Sequence, residues 1–329
     1  MVAATVPARL STPESVDHFV RFGAELDELR ARVLDEVGQA DLDHVEALDR
    51  LSHRLEIAGR LLIQFSFEPL AFGAGVLALA IHKQLQAAEI GHTVLHGAYD
   101  RIPGSPYSSQ TYQWDIPIDE EAWRYGHNAR HHGATNVAGR DPDIHYGPVR
   151  LTEQTPRHGK HAYQLPFALF VMWPNFGFLM NWHFSGLSDV YFDNGLGKGK
   201  MDFLPDRSDE SVRGAWQKAL RKWVPYYARS YGLFPLLAGP FFGKVMLGNW
   251  LAETLRDLYS AATIYCGHVG EDGASYPEGT RANGRGHAWA MQAAASNNFE
   301  VPRWVSILCG GLDKQIEHHL FPTLAPERL

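Results

Sequence analysis

Apolar positions along the chain gather into three blocks, and strict alternation of apolar with polar positions is scarce, so the pattern predicts helices and a mainly α fold. The first block, LLIQFSFEPLAFGAGVLALAI over 61–81, has membrane length but carries Glu68 and Pro69. The second, QLPFALFVMWPNFGFLMNW over 164–182, has no charged residue. The third, over 231–268, is apolar in two pieces, with Lys244, Glu253, Arg256 and Asp257 between and within them. A span needs roughly 20 mainly apolar residues, and a charge at its centre costs about 2.5–3.5 kcal/mol on insertion. Each block is therefore a weak span by itself. The Trp, Tyr, Phe, Gly and Pro in and beside the blocks suit membrane helices with interfacial aromatics better than buried helices of a soluble protein, so the reading is an integral membrane protein.

Around these blocks the chain divides into a charged, helical N-terminal region over 1–56, with a Ser/Thr-Pro start, and a main domain over 57–329. A polar, turn-rich segment over 101–150 holds one helix near 119–132. The Gly/Lys-rich loop DNGLGKGKMDFLPDRSDES leads to a basic helix carrying Arg213, Lys218, Arg221 and Lys222. This helix reads as a solvated face, with an acidic donor protein, phospholipid headgroups or an acyl carrier as the functional alternatives. A second loop, GEDGASYPEGTRANGRG, precedes the closing segment. No basic run accompanies the net charge of −7, which excludes general binding of nucleic acid. The two cysteines, Cys266 and Cys309, lie far apart in apolar settings, so neither a disulfide framework nor a CxxC metal site is available. The N-terminus lacks the basic-then-apolar pattern of a signal peptide.

Seventeen histidines in 329 residues make any single His-x3-His uninformative. The combination carries more. His92 and His96 lie at i, i+4 at the end of an apolar helix, where they share one face. His127, His131 and His132 repeat that spacing and add an adjacent histidine about 100° further round the helix. Gln315, His318 and His319 do so again. Adjacent histidines on a helix address two neighbouring ions more readily than one, so the doublets suggest two metals. A zinc peptidase helix needs His-Glu-x-x-His, and Thr93 follows His92 here. About eight donors, nearly all imidazole, without the Glu-x-x-His pairs of carboxylate-bridged bundles, point to two irons if the chemistry is oxygen activation. Glu317 directly precedes His318, so it projects elsewhere and is cast as a supporting partner rather than a ligand.

HTVLH, HNARHH and QIEHH resemble the three histidine boxes of membrane fatty-acid desaturases, and GGLDKQIEHHLFP is similar to the acyl-lipid, front-end and linoleoyl-CoA branch, where glutamine replaces the first histidine of the third box. WRYGHNARHHGATNVAGRDPDI and NNFE extend the likeness, which covers about residues 55–322. The resemblance implies that His92, His96, His127, His131, His132, His318 and His319 are iron ligands, that Gln315 coordinates or holds a water, and that His268 in IYCGHVG matches a further ligand after the last membrane helix. Asp143, His145 and Glu317 become candidates for supporting hydrogen bonds, with His183 and His287 as spare histidines. A stem of about four spans under a cytosolic helical cap is implied, with the metals on the cytoplasmic side of the membrane.

The activity implied is O2-dependent desaturation of an acyl chain on lipid or CoA. No His-Pro-Gly-Gly haem motif occurs, so electrons are expected from a separate donor of the ferredoxin or cytochrome b5 type, with its reductase. Relatives commonly continue beyond the position matching Leu329, which leaves the closing wall of the site open. All boxes must meet at one pair of metals, so an even number of crossings separates each from the next. Between His132 and His268, either 164–185 leaves and 232–251 returns, or 232–267 forms a hairpin while 164–185 lies in the interface. A di-iron hydroxylase or ketolase is the nearest rival. A membrane metal-binding or transport protein is disfavoured because the boxes lie at helix ends rather than mid-span. A soluble zinc hydrolase lacks the catalytic glutamate beside the box.

Overall fold

Helix α1 (Pro13–Asp35) and helix α2 (Gln39–Phe65) open the computed structural model, which describes Val6 and residues 13–192, 203–270 and 273–329. Helix α3 (Pro69–Gln84) returns along α2. The Ser11–Thr12 part of the expected helix start and the glycine-rich part of the 193–211 loop lie outside the described residues. As the apolar pattern predicts, the fold is mainly α; among the described residues the strands are the short antiparallel pair β1 (His145–Tyr146) and β2 (Val149–Arg150).

The apolar block 61–81 is not one helix. Glu68 accepts hydrogen bonds from the backbone N–H groups of Leu70 and Ala71 at 2.8 and 2.7 Å, and Pro69 takes the first helical position, so one helix ends and another begins there. Helix α2 runs without a break through residue 56, where the composition changes. The two helices approach closely at glycines: a Cβ at Gly59 would meet the backbone N of Leu79 at 2.8 Å, and one at Gly75 would meet the Leu62 Cβ at 2.8 Å. Gly248 admits Ile63 in the same way. Small residues let two helix backbones approach this closely.

Block 164–182 is also subdivided, into a helical turn at Gln164–Phe167, a π turn at Ala168–Met172, a 3-10 turn at Trp173–Asn175 and helix α4 (Phe176–Phe184). The basic stretch lies in helix α5 (Asp209–Tyr227). The third block breaks at Gly239–Phe241 before helix α6 (Phe242–His268). Among the described residues no helix is long and apolar enough to cross a membrane. Helix α7 (Arg285–Ala294) crosses α1 at Gly286 and Gly23, and short helices α8 (Arg303–Cys309) and α9 (Gln315–Leu320) follow. Cys266 and Cys309 are both free thiols.

Two of the charges in the basic helix are used internally. Arg221 donates to Asp119 at 2.6 Å, and Lys222 donates to the Trp114 carbonyl at 2.6 Å and pairs with Glu120. They tie α5 to the loop ahead of the second histidine box; Arg213 remains exposed.

Candidate metal centre

All three boxes converge, and two of them are wound in an unexpected way. The end of α3 widens its winding into a π turn over Leu85–His92, and a second π turn spans Arg124–His131 after the short helix Glu120–Trp123. Within the second turn the His132 N–H bonds to the His127 carbonyl five residues back at 3.1 Å. The helix expected here is thus wound wider than an α-helix at its end, and all three histidines of this box reach the site. Gly91 makes room for Trp114, whose indole N–H donates to the Gln86 carbonyl at 2.9 Å and anchors the first π turn.

The imidazoles fall into two groups, each with its donor atoms within 4.8 Å of one another. His92, His96, His127 and His318 form the first; His131, His268 and His319 form the second. The third-box doublet is thus divided, His318 in the first group and His319 in the second. His132 lies between them, its ring 4.7 Å from that of His96, 5.0 Å from His318 and 4.4 Å from His319. Gln315 Nε2 is 2.5 Å from His268 Nε2, beside the second group.

The donor set fits cations. His127 Nε2, His131 Nε2, both nitrogens of His132, His268 Nδ1, His318 Nε2 and the Gln315 amide oxygen are buried without a hydrogen-bond partner, an arrangement costly in an empty polar cavity and natural around metal ions. Burial, joined by mutual repulsion, pushes the imidazoles toward the neutral form that binds metal, with His92 and His268 each lowered to about 3. His131 differs. Burial opposes its charge, but Asp141 and Asp143 outweigh burial and raise it to about 9.

Asp141 is the supporting carboxylate that the sequence reasoning missed. It accepts from His131 Nδ1 at 2.9 Å, from the Asn136 backbone N–H at 2.7 Å and from the Asp143 N–H at 2.9 Å. Asn136 adopts φ 55° to close this turn, a conformation asparagine tolerates better than most residues. With Nδ1 held by Asp141, the Nε2 of His131 is left to face the second group. The available signal was the Asp-Pro-Asp run after the second box, in which attention went to Asp143 alone. Asp143 lies 3.2 Å from His127 Nδ1 and 3.6 Å from His131 Nδ1, in contact with both groups. Gln292 was also missed: its amide oxygen is 3.0 Å from His319 Nδ1, its nitrogen donates to the His132 carbonyl at 2.6 Å, and Thr135 donates to it at 2.6 Å.

The other candidates lie apart. Glu317 accepts from Asn298 Nδ2 at 2.7 Å, while Asn298 Oδ1 accepts from the Ile316 N–H at 2.9 Å, so Glu317 braces the start of α9 and makes no hydrogen bond to a histidine. His145 accepts from the Gly139 N–H at 2.8 Å and serves the loop. His183 uses both nitrogens, 2.9 Å from Ser188 Oγ and 3.0 Å from the Pro142 carbonyl, which seats the Asp141–Asp143 turn. His287 packs on Phe19 and accepts from the Asn283 N–H at 3.0 Å.

A cavity of about 120 Å³ adjoins both groups. His92, His127, His131 and His268 reach its wall, and Ile116, Ile118, Met172, Phe176, Met180 and Phe184 make the rest largely apolar. It extends along α6 as far as Ser260 and Arg256. His268 lies twelve positions beyond Arg256 on the helix, roughly 18 Å at the α-helical rise.

Comparison with known proteins agrees with this arrangement. A family model described as fatty acid desaturase matches residues 68–329. An NADPH-dependent stearoyl-CoA 9-desaturase of Mycobacterium tuberculosis is 31% identical over 309 residues, 93% of this chain and 70% of the relative. An sn-1 linoleoyl-lipid 6-desaturase of Synechocystis sp. is 28% identical over 266 residues, covering 78% and 70%. An acyl-lipid (8-3)-desaturase of Physcomitrium patens is 30% identical over 250 residues, covering 72% and 48%. No solved structure matches the chain. With histidine boxes gathered at one end of a long apolar cavity and a family match over most of its length, the chain belongs to the fatty acid desaturase family and is an oxidoreductase.

Proposed function

We propose that the chain desaturates an acyl chain carried on CoA or glycerolipid, using two irons held by the histidine groups and O2 as co-substrate. The observation that carries this reading is the cavity: an apolar channel whose wall includes members of both histidine groups. An unactivated methylene C–H bond is beyond general acid–base chemistry, and a bound pair of irons would supply the O2-derived oxidising power that the reaction needs.

The residues present have definite tasks. His92, His96, His127 and His318 would hold one iron, and His131, His268 and His319 the other, with His132 completing a shell between them and the unpartnered Gln315 amide oxygen available as a further donor. Asp141 keeps the His131 ring in one orientation, and Gln292 does the same for His319. Trp123 stacks on His127 at 4.5 Å and shields the first group. The apolar walls align the substrate so that one carbon pair faces the centre, and they exclude water from it.

A lipid bilayer is the setting the surface favours. Phe65, Phe67 and Leu70 at the α2–α3 turn, Leu165 and Phe170 in the second block, and Leu236, Leu237 and Trp250 in the third are large apolar side chains exposed on the protein surface. Patches of this kind mark membrane or partner contact. The broken blocks fit a stem of paired helices better than isolated spans, with the metal centre on the cytoplasmic side and electrons delivered by a separate ferredoxin or cytochrome b5 type donor through its reductase.

Expression in a host lacking the activity, followed by gas chromatography of its fatty acids, tests the reading. New unsaturated acyl chains that disappear with His318→Ala support it. A hydroxylated product would instead place the same centre in a hydroxylase.

A further inference from the structure

Away from the histidine centre, a second set of metal-competent side chains meets at a cleft of about 470 Å³. His44 comes from α2, Glu89 from the π turn that ends in His92, and Glu327 from the 3-10 turn Pro326–Arg328. Their donor atoms lie within 4.8 Å of one another. Glu89 is the informative member. It is only 3% exposed, its Oε2 is buried with no hydrogen-bond partner, and its Oε1 lies 3.9 Å from His44 Nε2. Among the described residues no lysine or arginine comes within salt-bridge distance of it. Arg303 and Lys314 line the same cleft, as does Asp313, which adds a third acidic group.

We propose that His44, Glu89 and Glu327 bind one divalent transition cation, of the zinc or manganese kind, at a site separate from the histidine centre. One imidazole and two carboxylates are a suitable donor set for such an ion. Two donors each about 2.1 Å from one ion stand roughly 3–3.5 Å apart, so closure requires a contraction of about an ångström. Glu327 is exposed and can supply that movement. Burial, and then the charges of Glu327 and Asp313, push the Glu89 carboxyl well above its ordinary range, so without a cation the site holds a proton that metal binding would displace.

The position suggests what the ion would do. It would join α2, the turn carrying the first histidine box and the C-terminal segment, where Arg328 already donates to Asp41 at 2.7 Å and to Glu36 at 3.0 Å. This inference does not depend on the activity proposed above.

The test is a titration of the iron-loaded chain with Mn2+, following loss of the aqueous Mn2+ electron paramagnetic resonance signal. One tightly held Mn2+ per chain is expected, with binding lost in Glu89→Gln and weakened at least tenfold in Glu327→Gln and His44→Ala, while iron content is unchanged in all three. No Mn2+ binding by the unmodified chain would overturn the proposal, as would equal binding in the variants, which would place the ion in the histidine centre or on the surface. If Glu89→Gln fails to fold, Glu327→Gln and His44→Ala decide: undiminished affinity in both overturns it.

Discussion

The Nδ1 of His131 lies 2.9 Å from Oδ1 of Asp141, a carboxylate with no solvent exposure that is itself fixed by two backbone N–H groups. Carboxylate partners of this kind set the tautomer and orientation of a metal-binding imidazole, and their loss commonly costs about 10–100-fold in affinity or activity. Asp141→Asn is therefore expected to lower turnover within that range and to reduce bound iron, measured on purified protein by elemental analysis and product formation. Full iron and full turnover would remove Asp141 from this role.

His268 belongs with His131 and His319, and not with the first group. In His268→Ala the expected iron content falls from two toward one per chain, with activity abolished. Mössbauer spectra of iron-57 protein would show whether the remaining iron keeps an all-histidine environment. An unchanged two-iron spectrum would exclude His268 as a ligand.

Chain length should respond to the far end of the cavity. A Cβ at Gly177 would meet Arg256 Nη1 at 2.9 Å and Pro117 Cγ at 3.1 Å, so Gly177→Leu intrudes on the space beside Arg256. Ser260→Phe narrows the cavity through another lining position. Both are expected to shift the products toward shorter acyl chains with iron content unchanged, as read by gas chromatography. An unaltered product profile in both would argue that the acyl chain lies elsewhere.

Near the C-terminus, burial of Asp41 disfavours its charge, but the Arg328 guanidinium and the Gly38 N–H together outweigh burial and hold the carboxyl below its ordinary value. A depressed carboxyl contributes stability that is present above the unfolded value near 4 and is lost as pH falls through the folded value. Arg328→Ala should lower stability by about 1–2 kcal/mol at pH 7, with the difference from the unmodified chain shrinking below about pH 4. Thermal melts across that pH range check this.

If the exposed apolar side chains contact lipid, a lysine at Leu236 or Phe170 should cost on the order of 1–3 kcal/mol of insertion, according to depth. The expected result is less protein in the alkali-resistant membrane fraction. A lysine at Arg213, already exposed and charged, should leave that fraction unchanged.

The donor residues were legible because histidine is chemically conspicuous and its spacing repeats in three places beside apolar blocks. The π winding that draws His127 and His132 together was not, since an i→i+5 turn depends on tertiary contacts such as Phe184 over Gly126 rather than on local propensity. Glu68 and Pro69 did announce a helix start, but a hydropathy reading counted them only as blemishes in a span. Asp141 and Gln292 escaped because a supporting hydrogen bond leaves no periodic trace. Glu317 drew attention through its place beside His318, yet adjacent side chains on a helix point different ways, and it meets Asn298 instead.

The central claim, two irons in a histidine-lined site that desaturates acyl chains, is tested most directly on one preparation. Protein purified from iron-replete cells should contain two irons per chain and, given reductant, O2 and an acyl substrate, should form a carbon–carbon double bond in it. One zinc per chain with the acyl substrate unchanged would contradict the claim.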